Sequence, residues 1–250
     1  MPEIVELESN AHKLPPQLRC LVIGPSQSGK TTFIKSLLRH RELLFNAPHD
    51  LILYVSPNLL SSSVHHEVQF IEEMRILAGN TDIKFLGEIP TVDELLSHIE
   101  GPDFKVWLII DDYHHRLFEN RDVVDYYIRL SSHSNLDILS TAHSAFSNGK
   151  FYQLIFRNSN CIILFRTLSD KSTDSLLNKK CFPGQPSFIR EAFDQAIAHC
   201  GPHSYLCFQF NVGNILNHHL PVKTRLTPFI NKYGQTQHLP IYFAWKEKKA

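Results

Sequence analysis

The chain has 250 residues, 43% of them hydrophobic, enough for one well-formed core and short for two independent domains of about 100 to 200 residues each. Its 25 Lys and Arg balance 25 Asp and Glu, so overall charge would not draw it to nucleic acid or a membrane, and any polyanion site must be local or built from several copies. Five scattered cysteines without a C-x-x-C pair argue against a disulfide framework or a thiolate zinc site and suit buried thiols in a reducing compartment.

Residues 1–17, MPEIVELESNAHKLPPQ, are acidic and broken by prolines, and lack the basic start and apolar run of a secretory signal. No apolar run approaches the ~18 residues that span a bilayer, so the expectation is a soluble, intracellular protein without stable membrane insertion. The first strand, CLVI at 20–23, runs into GPSQSGKT, Gly24 to Thr31, which fits G-x-x-x-x-G-K-[ST] without a mismatch. Such a loop wraps backbone N–H groups around phosphates, where side chains at Gly24 and Gly29 would obstruct it. Lys30 supplies charge to the β and γ phosphates and the Thr31 hydroxyl completes the shell of Mg²⁺. The nucleotide-binding set is therefore Gly24, Pro25, Ser26, Gln27, Ser28, Gly29, Lys30, Thr31 and Thr32, with the positive end of the following helix aimed at the anion.

That helix is expected over 31–44, with Phe33, Ile34, Leu37 and Leu38 at helical spacing. A strand at 51–56, LILYVS, precedes a helix at 64–77 carrying Val64, Val68, Ile71 and Met74, and another strand lies at 83–87. Thr91 and Glu94 form a capping box opening a helix over 91–100. The strand KVWLII, 105–110, ends in Asp111 and Asp112. An acid at the C-terminal end of a strand beside a phosphate loop holds Mg²⁺, and a second carboxylate beside it can orient and deprotonate attacking water, so Asp111 is assigned to the metal and Asp112 to the water. A paired acid suits hydrolysis for mechanical work more than transfer to a small molecule.

Asn120 can cap a helix over 121–130, and strands follow at 136–141, 161–165 and 205–210. Past the first of these, Thr141 or His143 could touch a γ-phosphate. Several strands are apolar throughout, as strands covered on both faces should be. Alternation of strand and helix predicts an α/β fold: a P-loop NTPase domain over 18–212 with a mainly parallel central sheet flanked by helices. Residues 213–250 carry turn residues and a basic end at Lys246, Lys248 and Lys249, and read as a short peripheral C-terminal extension with a basic tail. A GTPase would want an N-K-x-D base reader, but NKKC at 178–181 puts Cys181 where the aspartate belongs. The adjacent pairs His65-His66, His114-His115 and His218-His219 are poor metal clamps, because neighbouring side chains point apart in a strand and diverge in a helix.

The segment 107–190 resembles the genome-packaging ATPases of the Maverick/Polinton and adintovirus group, within the FtsK/HerA superfamily that also holds the poxvirus packaging ATPases. The matching features are the acidic strand end, SHSNL at 132–136, a sensor strand followed by NGK at 148–150, the NSNCIILF strand at 158–165, DKS at 170–172 and FPG at 182–184. With the phosphate loop, the likeness covers about residues 18 to 230. It implies ATP and Mg²⁺ as cofactors and a homo-oligomeric ring driving double-stranded DNA into a viral capsid through a capsid or portal-vertex protein. It also implies a place inside an infected host cell, in the nucleus or a cytoplasmic virus factory, or on the virion.

Three departures stand out. Such proteins carry Asp-Glu or Asp-Asp, so Asp112 is acceptable, but its side chain is shorter than glutamate and must place water slightly differently; His143 stands at the sensor glutamine; and His133-Ser134-Asn135 replaces His-Arg-Asn, whose arginine reaches a neighbour's nucleotide. Arg129, one helical turn earlier, is the nearest substitute, with Arg157 and Arg166 further along. The alternatives are another nucleic-acid-stimulated P-loop ATPase or helicase, or a non-hydrolysing nucleotide-dependent binding module.

Overall fold

The computed structural model describes residues 3–5, 13–60, 64–131, 134–144, 149–166, 188–201, 203–210, 222–230, 236–237 and 240–244. The strands are β1 (Glu3–Val5), β2 (Arg19–Ile23), β3 (Leu51–Val55), β4 (Asp82–Leu86), β5 (Val106–Ile110), β6 (Leu136–Ala142), β7 (Cys161–Phe165), β8 (Tyr205–Gln209), β9 (Val222–Thr224), β10 (Phe229–Ile230), β11 (Thr236–Gln237) and β12 (Ile241–Ala244). All but β10 and β11 join one ten-stranded sheet in the order β1-β12-β9-β8-β7-β2-β6-β5-β3-β4. From β4 to β7 neighbouring strands are parallel; from β7 through β8, β9 and β12 to β1 they are antiparallel. The expected wound, mainly parallel sheet is present, and β6 lies between the strand feeding the phosphate loop and the strand ending in the two aspartates.

Strand periodicity divides the core into two layers. Leu21, Ile23, Leu53, Val55, Leu108 and Ile110 face one side, under α6 (Arg121–Asp125), α7 (Tyr152–Asn158) and α8 (Phe188–Cys200). Cys20, Val22, Ile52, Tyr54, Trp107 and Ile109 face the other, under α1 (Lys30–Arg39), α2 (Arg41–Leu44) and α3 (Val64–Ala78). This two-sided burial is why the central strands read as unbroken apolar runs.

The capping box at Thr91 and Glu94 is formed, opening α4 (Val92–Ser97), the single turn α5 (His114–Leu117) follows β5, and Asn120 accepts from the Val123 amide at 3.2 Å to cap α6. The helix expected over 31–44 breaks at His40. The break lets Arg41 donate to Leu38 O, Leu77 O and Ala78 O at 2.9, 2.9 and 2.6 Å, so one guanidinium satisfies the C-terminal carbonyls of α1 and α3. The helix expected over 121–130 likewise ends as a π turn at Tyr126–Leu130. Its two tyrosines anchor it, Tyr126 to Pro90 O and Tyr127 to Cys20 O.

Of the described residues after 212, β9 and β12 hydrogen-bond into the sheet, and β1 from the N-terminal extension pairs with β12 as the outermost strand on that side. Short polar-flanked strands of this kind carry no local signature, because their partners are supplied by distant chain. Cys20, Cys161 and Cys207 are buried free thiols, while Cys181, Lys246, Lys248 and Lys249 lie outside the described residues.

At the edge where the parallel strands begin, Asp137 is 1% exposed. Its Oδ1 accepts from the Leu18 amide at 2.6 Å, and its Oδ2 accepts from His49 Nε2 at 2.8 Å and Lys105 Nζ at 3.0 Å. His49 Nδ1 is buried without a partner among the described residues, and burial lowers the ring's pKa despite the pull of Asp137, so the neutral tautomer protonated at Nε2 fits. Burial alone would push the Asp137 carboxyl up, but the His49 hydrogen bond and the Lys105 ammonium outweigh it and hold it below its ordinary value. Removing the carboxylate strands the Leu18 amide and the buried His49 Nε2 and unpairs the half-buried Lys105, so Asp137→Ala should cost about 3–5 kcal/mol in denaturant unfolding. Because the folded-state pKa is depressed, this contribution is complete above the ordinary carboxylate range and is lost as pH falls through the folded value. The wild type should therefore lose stability more steeply in acid than the variant.

Candidate functional site

The phosphate loop joins the buried end of β2 to α1. The Gly24 amide donates to Ala142 O at 3.0 Å, which fastens the loop to the end of β6. A Cβ at Gly24 would sit 2.5 Å from Ser28 Oγ and 2.7 Å from Phe165 Cβ, so the loop closes only over a glycine. Gly29, with φ of 104°, is the left-handed residue that turns the loop into α1. Among the described residues no side chain caps this helix, and its first turn holds no acid, which leaves its positive end to an anion. Pro25, Ser26, Gln27 and Thr32 are exposed around the loop, and Ser28 Oγ is buried with no hydrogen-bond partner among the described residues, a hydroxyl suited to a phosphate oxygen.

Lys30 is 7% exposed and donates to Gly24 O at 2.8 Å and Pro25 O at 2.9 Å. Burial lowers its pKa, an effect partly offset by the charges of Asp111 and Asp112. The ammonium therefore sits on the loop's own carbonyls, within the hollow its glycines form.

Asp111 is the hub of the site. Residues 109 and 111 share a sheet face, and the β3–β5 register sets Tyr54 beside Ile109, so strand parity brings Tyr54, Asp111 and α1 together. Asp111 Oδ2 accepts from Tyr54 Oη at 2.6 Å and Thr31 Oγ1 at 3.0 Å, and Oδ1 accepts from Thr141 Oγ1 at 2.8 Å. Thr141 Oγ1 also accepts from the Asp112 amide at 2.9 Å, which ties the two acids through one hydroxyl at the end of β6. Asp112 has φ of 63°, a left-handed conformation that aspartate tolerates better than most residues. Its Oδ1 lies 2.9 Å from His143 Nε2, with both side chains about a third exposed, at 33% and 31%.

The fold thus brings together Lys30, Thr31, Asp111, Asp112, Thr141 and His143. A hydroxyl and a carboxylate converging beneath the loop are hard oxygen donors that fit Mg²⁺. Arg129 is not among them: it is exposed on the π turn, just before the chain re-enters the sheet at the start of β6, whereas the phosphate loop follows the end of β2. Arg157 is exposed on α7, and Arg166, following β7 beside the loop, pairs with Asp194 at 3.0 Å. Sequence reasoning missed Tyr54, whose only signal is one hydroxyl in an otherwise apolar strand.

Other motif residues have structural roles. Ser134 Oγ donates to Leu130 O at 2.5 Å, and Asn160 uses its side-chain amide to accept from the Arg19 amide and donate to Gln17 O. A Cβ at Gly149 would sit 2.3 Å from Phe118 Cβ, which explains the glycine in NGK. His133, DKS and FPG lie outside the described residues.

No known family profile and no curated protein matches this sequence. Among solved structures, the DNA-packaging ATPase B204 from Sulfolobus turreted icosahedral virus is similar with a TM-score of 0.51 and 13% identity, over 84% of this chain and 98% of that one. The genome packaging NTPase B204 from Sulfolobus turreted icosahedral virus 2, in complex with sulfate, gives 0.49 and 13% over 79% and 94%. The flagellar accessory protein FlaH from Methanocaldococcus jannaschii gives 0.41 and 16% over 66% and 80%. At 13% identity the likeness to the first of these is one of fold alone: an α/β P-loop NTPase fold.

Proposed function

We propose that this chain is an Mg²⁺-dependent ATPase of the FtsK/HerA type that works as a homo-oligomeric ring and drives double-stranded DNA into a viral capsid. The observation that carries the reading is the convergence of Thr31 and Thr141 on Asp111 beneath a complete phosphate loop, with Asp112 tied to the same threonine. The fold shared with a DNA-packaging ATPase supports the choice of work. The likeness of 107–190 to the Maverick/Polinton and adintovirus packaging ATPases supports it too.

In this reading Lys30 leaves the carbonyls of Gly24 and Pro25 for the β and γ phosphates, and the loop amides and Ser28 Oγ hold the phosphate chain. Thr31 and Asp111 would hold Mg²⁺, which would supply positive charge against the phosphates. Asp112 orients the attacking water and accepts its proton, and His143 positions that carboxylate. Arg129, remote from its own loop, would serve a neighbouring subunit's nucleotide. DNA contact would go mainly to phosphates and fall with salt, with the exposed Lys150 as one described candidate; Lys171, Lys179 and Lys180 lie outside the described residues. The capsid or portal-vertex partner and the setting in an infected cell belong to the same proposal.

A second reading, a nucleotide-dependent binding module without turnover, is favoured by Ser134. It stands where such proteins place an arginine, and its hydroxyl is tied to Leu130 O.

The test is ATP hydrolysis over a series of protein concentrations, with and without long double-stranded DNA, at low and moderate salt. Turnover per subunit should rise with protein concentration and with DNA, and the DNA-dependent part should fall as salt rises. Tight ATP binding with no turnover under any of these conditions would instead establish the binding module.

A further inference from the structure

The phosphate-loop residues, both aspartates and the sensor position are absorbed by the proposed function, but Tyr54 is not. It is 1% exposed, and its ring packs at 5.5 Å from Phe70 and 6.0 Å from Phe85. Packing alone would be served as well by phenylalanine. The hydroxyl instead reaches Asp111 Oδ2 at 2.6 Å, the shortest of the three hydroxyl contacts on that carboxylate.

The geometry points to Tyr54 as a positioning residue for the metal site, holding the Asp111 carboxylate in place for the Mg²⁺ that accompanies the nucleotide. The inference rests on the proposed nucleotide-binding function of this loop and adds a residue from a strand that carries none of the motif.

Thr31 and Tyr54 donate to the same oxygen from different elements. Thr31 Oγ1 would meet the metal through a lone pair while its proton stays on Asp111, so that contact follows the phosphate loop. Tyr54 at Oδ2 and Thr141 at Oδ1 instead hold the carboxylate from the neighbouring strands of the sheet, independently of the loop. Groups that orient a metal ligand without touching the metal commonly govern affinity by about 10–100-fold. The ring is immobilised by its aromatic neighbours, and Lys35 Nζ lies 5.1 Å from the Phe70 ring, which ties this packing to α1.

The test measures binding of a fluorescent, non-hydrolysable ATP analogue to the full chain, in EDTA and across an Mg²⁺ titration. Tyr54→Phe keeps the ring and removes the hydroxyl; Phe85→Leu loosens the ring's packing and leaves the hydroxyl. The expected result is wild-type analogue affinity in EDTA for both variants, with about a tenfold higher Mg²⁺ requirement in Tyr54→Phe alone. An unchanged Mg²⁺ requirement in Tyr54→Phe overturns the inference and leaves the proposed function standing. Equal shifts in both variants, or loss of affinity already in EDTA, mean that Tyr54 acts only through packing and also overturn it. A wild-type chain that binds no analogue overturns the proposed function and the inference with it.

Discussion

Lys30→Ala is expected to abolish the nucleotide-induced rise in melting temperature, and to lower kcat/KM for ATP by about 10²–10³-fold, the loss typical when one donor aimed at developing charge is removed. In the wild type, a non-hydrolysable ATP analogue at about 100 times its Kd contributes about 2.7 kcal/mol, a shift of roughly 5–10 °C for a chain of this size. The informative part is the nucleotide-free protein. Lys30 there is a buried ammonium resting on Gly24 O and Pro25 O, in surroundings that lower its pKa below the ordinary lysine value. A cation whose pKa is lowered by folding costs stability at neutral pH. Its removal should leave the nucleotide-free melting temperature unchanged or higher, so stability and ligand response move apart. A variant that keeps the full analogue-induced shift removes Lys30 from the site; one that melts far earlier without nucleotide gives it a structural role.

What the sequence made legible was local in origin. The phosphate loop, the capping box at Thr91 and the Asn120 cap are written in contiguous residues. The central strands showed as apolar runs because both faces are covered. What stayed hidden depends on distant partners. Tyr54 and Thr31 meet Asp111 across 57 and 80 positions, and nothing near Tyr54 marks it. The helix break at His40 exists because Arg41 caps two helices, one of them 36 residues on. The strands β1, β9 and β12 are too short to announce themselves and form because the antiparallel side of the sheet offers them a ladder. The second acid at Asp112 was readable as chemistry, but its left-handed backbone was not. That conformation gives a physical reason for aspartate here, because a longer side chain gains no local hydrogen-bonding relief at positive φ.

That backbone also makes Asp112→Asn the clean test of the water-orienting role. Asparagine tolerates φ of 63° as well as aspartate does and can keep a hydrogen bond to His143, whereas alanine would add strain of about 1–2 kcal/mol and confuse the outcome. Asp112→Asn should bind the ATP analogue with wild-type affinity and lose turnover by about 10²–10⁴-fold, the usual worth of a general base. Normal turnover would remove Asp112 from the chemistry. His143→Ala extends the test, since its ring meets Asp112 Oδ1 at 2.9 Å rather than standing apart as an independent contact for phosphate. If His143 acts by positioning Asp112, the double variant Asp112→Asn/His143→Ala should turn over no more slowly than Asp112→Asn alone, because residues acting as a unit are not additive. Losses that multiply instead would give His143 its own contact with the γ-phosphate and make it a sensor in its own right. The structure favours the first outcome, because the Thr141 hydroxyl and the His143 ring together hold Asp112 at its amide and its carboxylate.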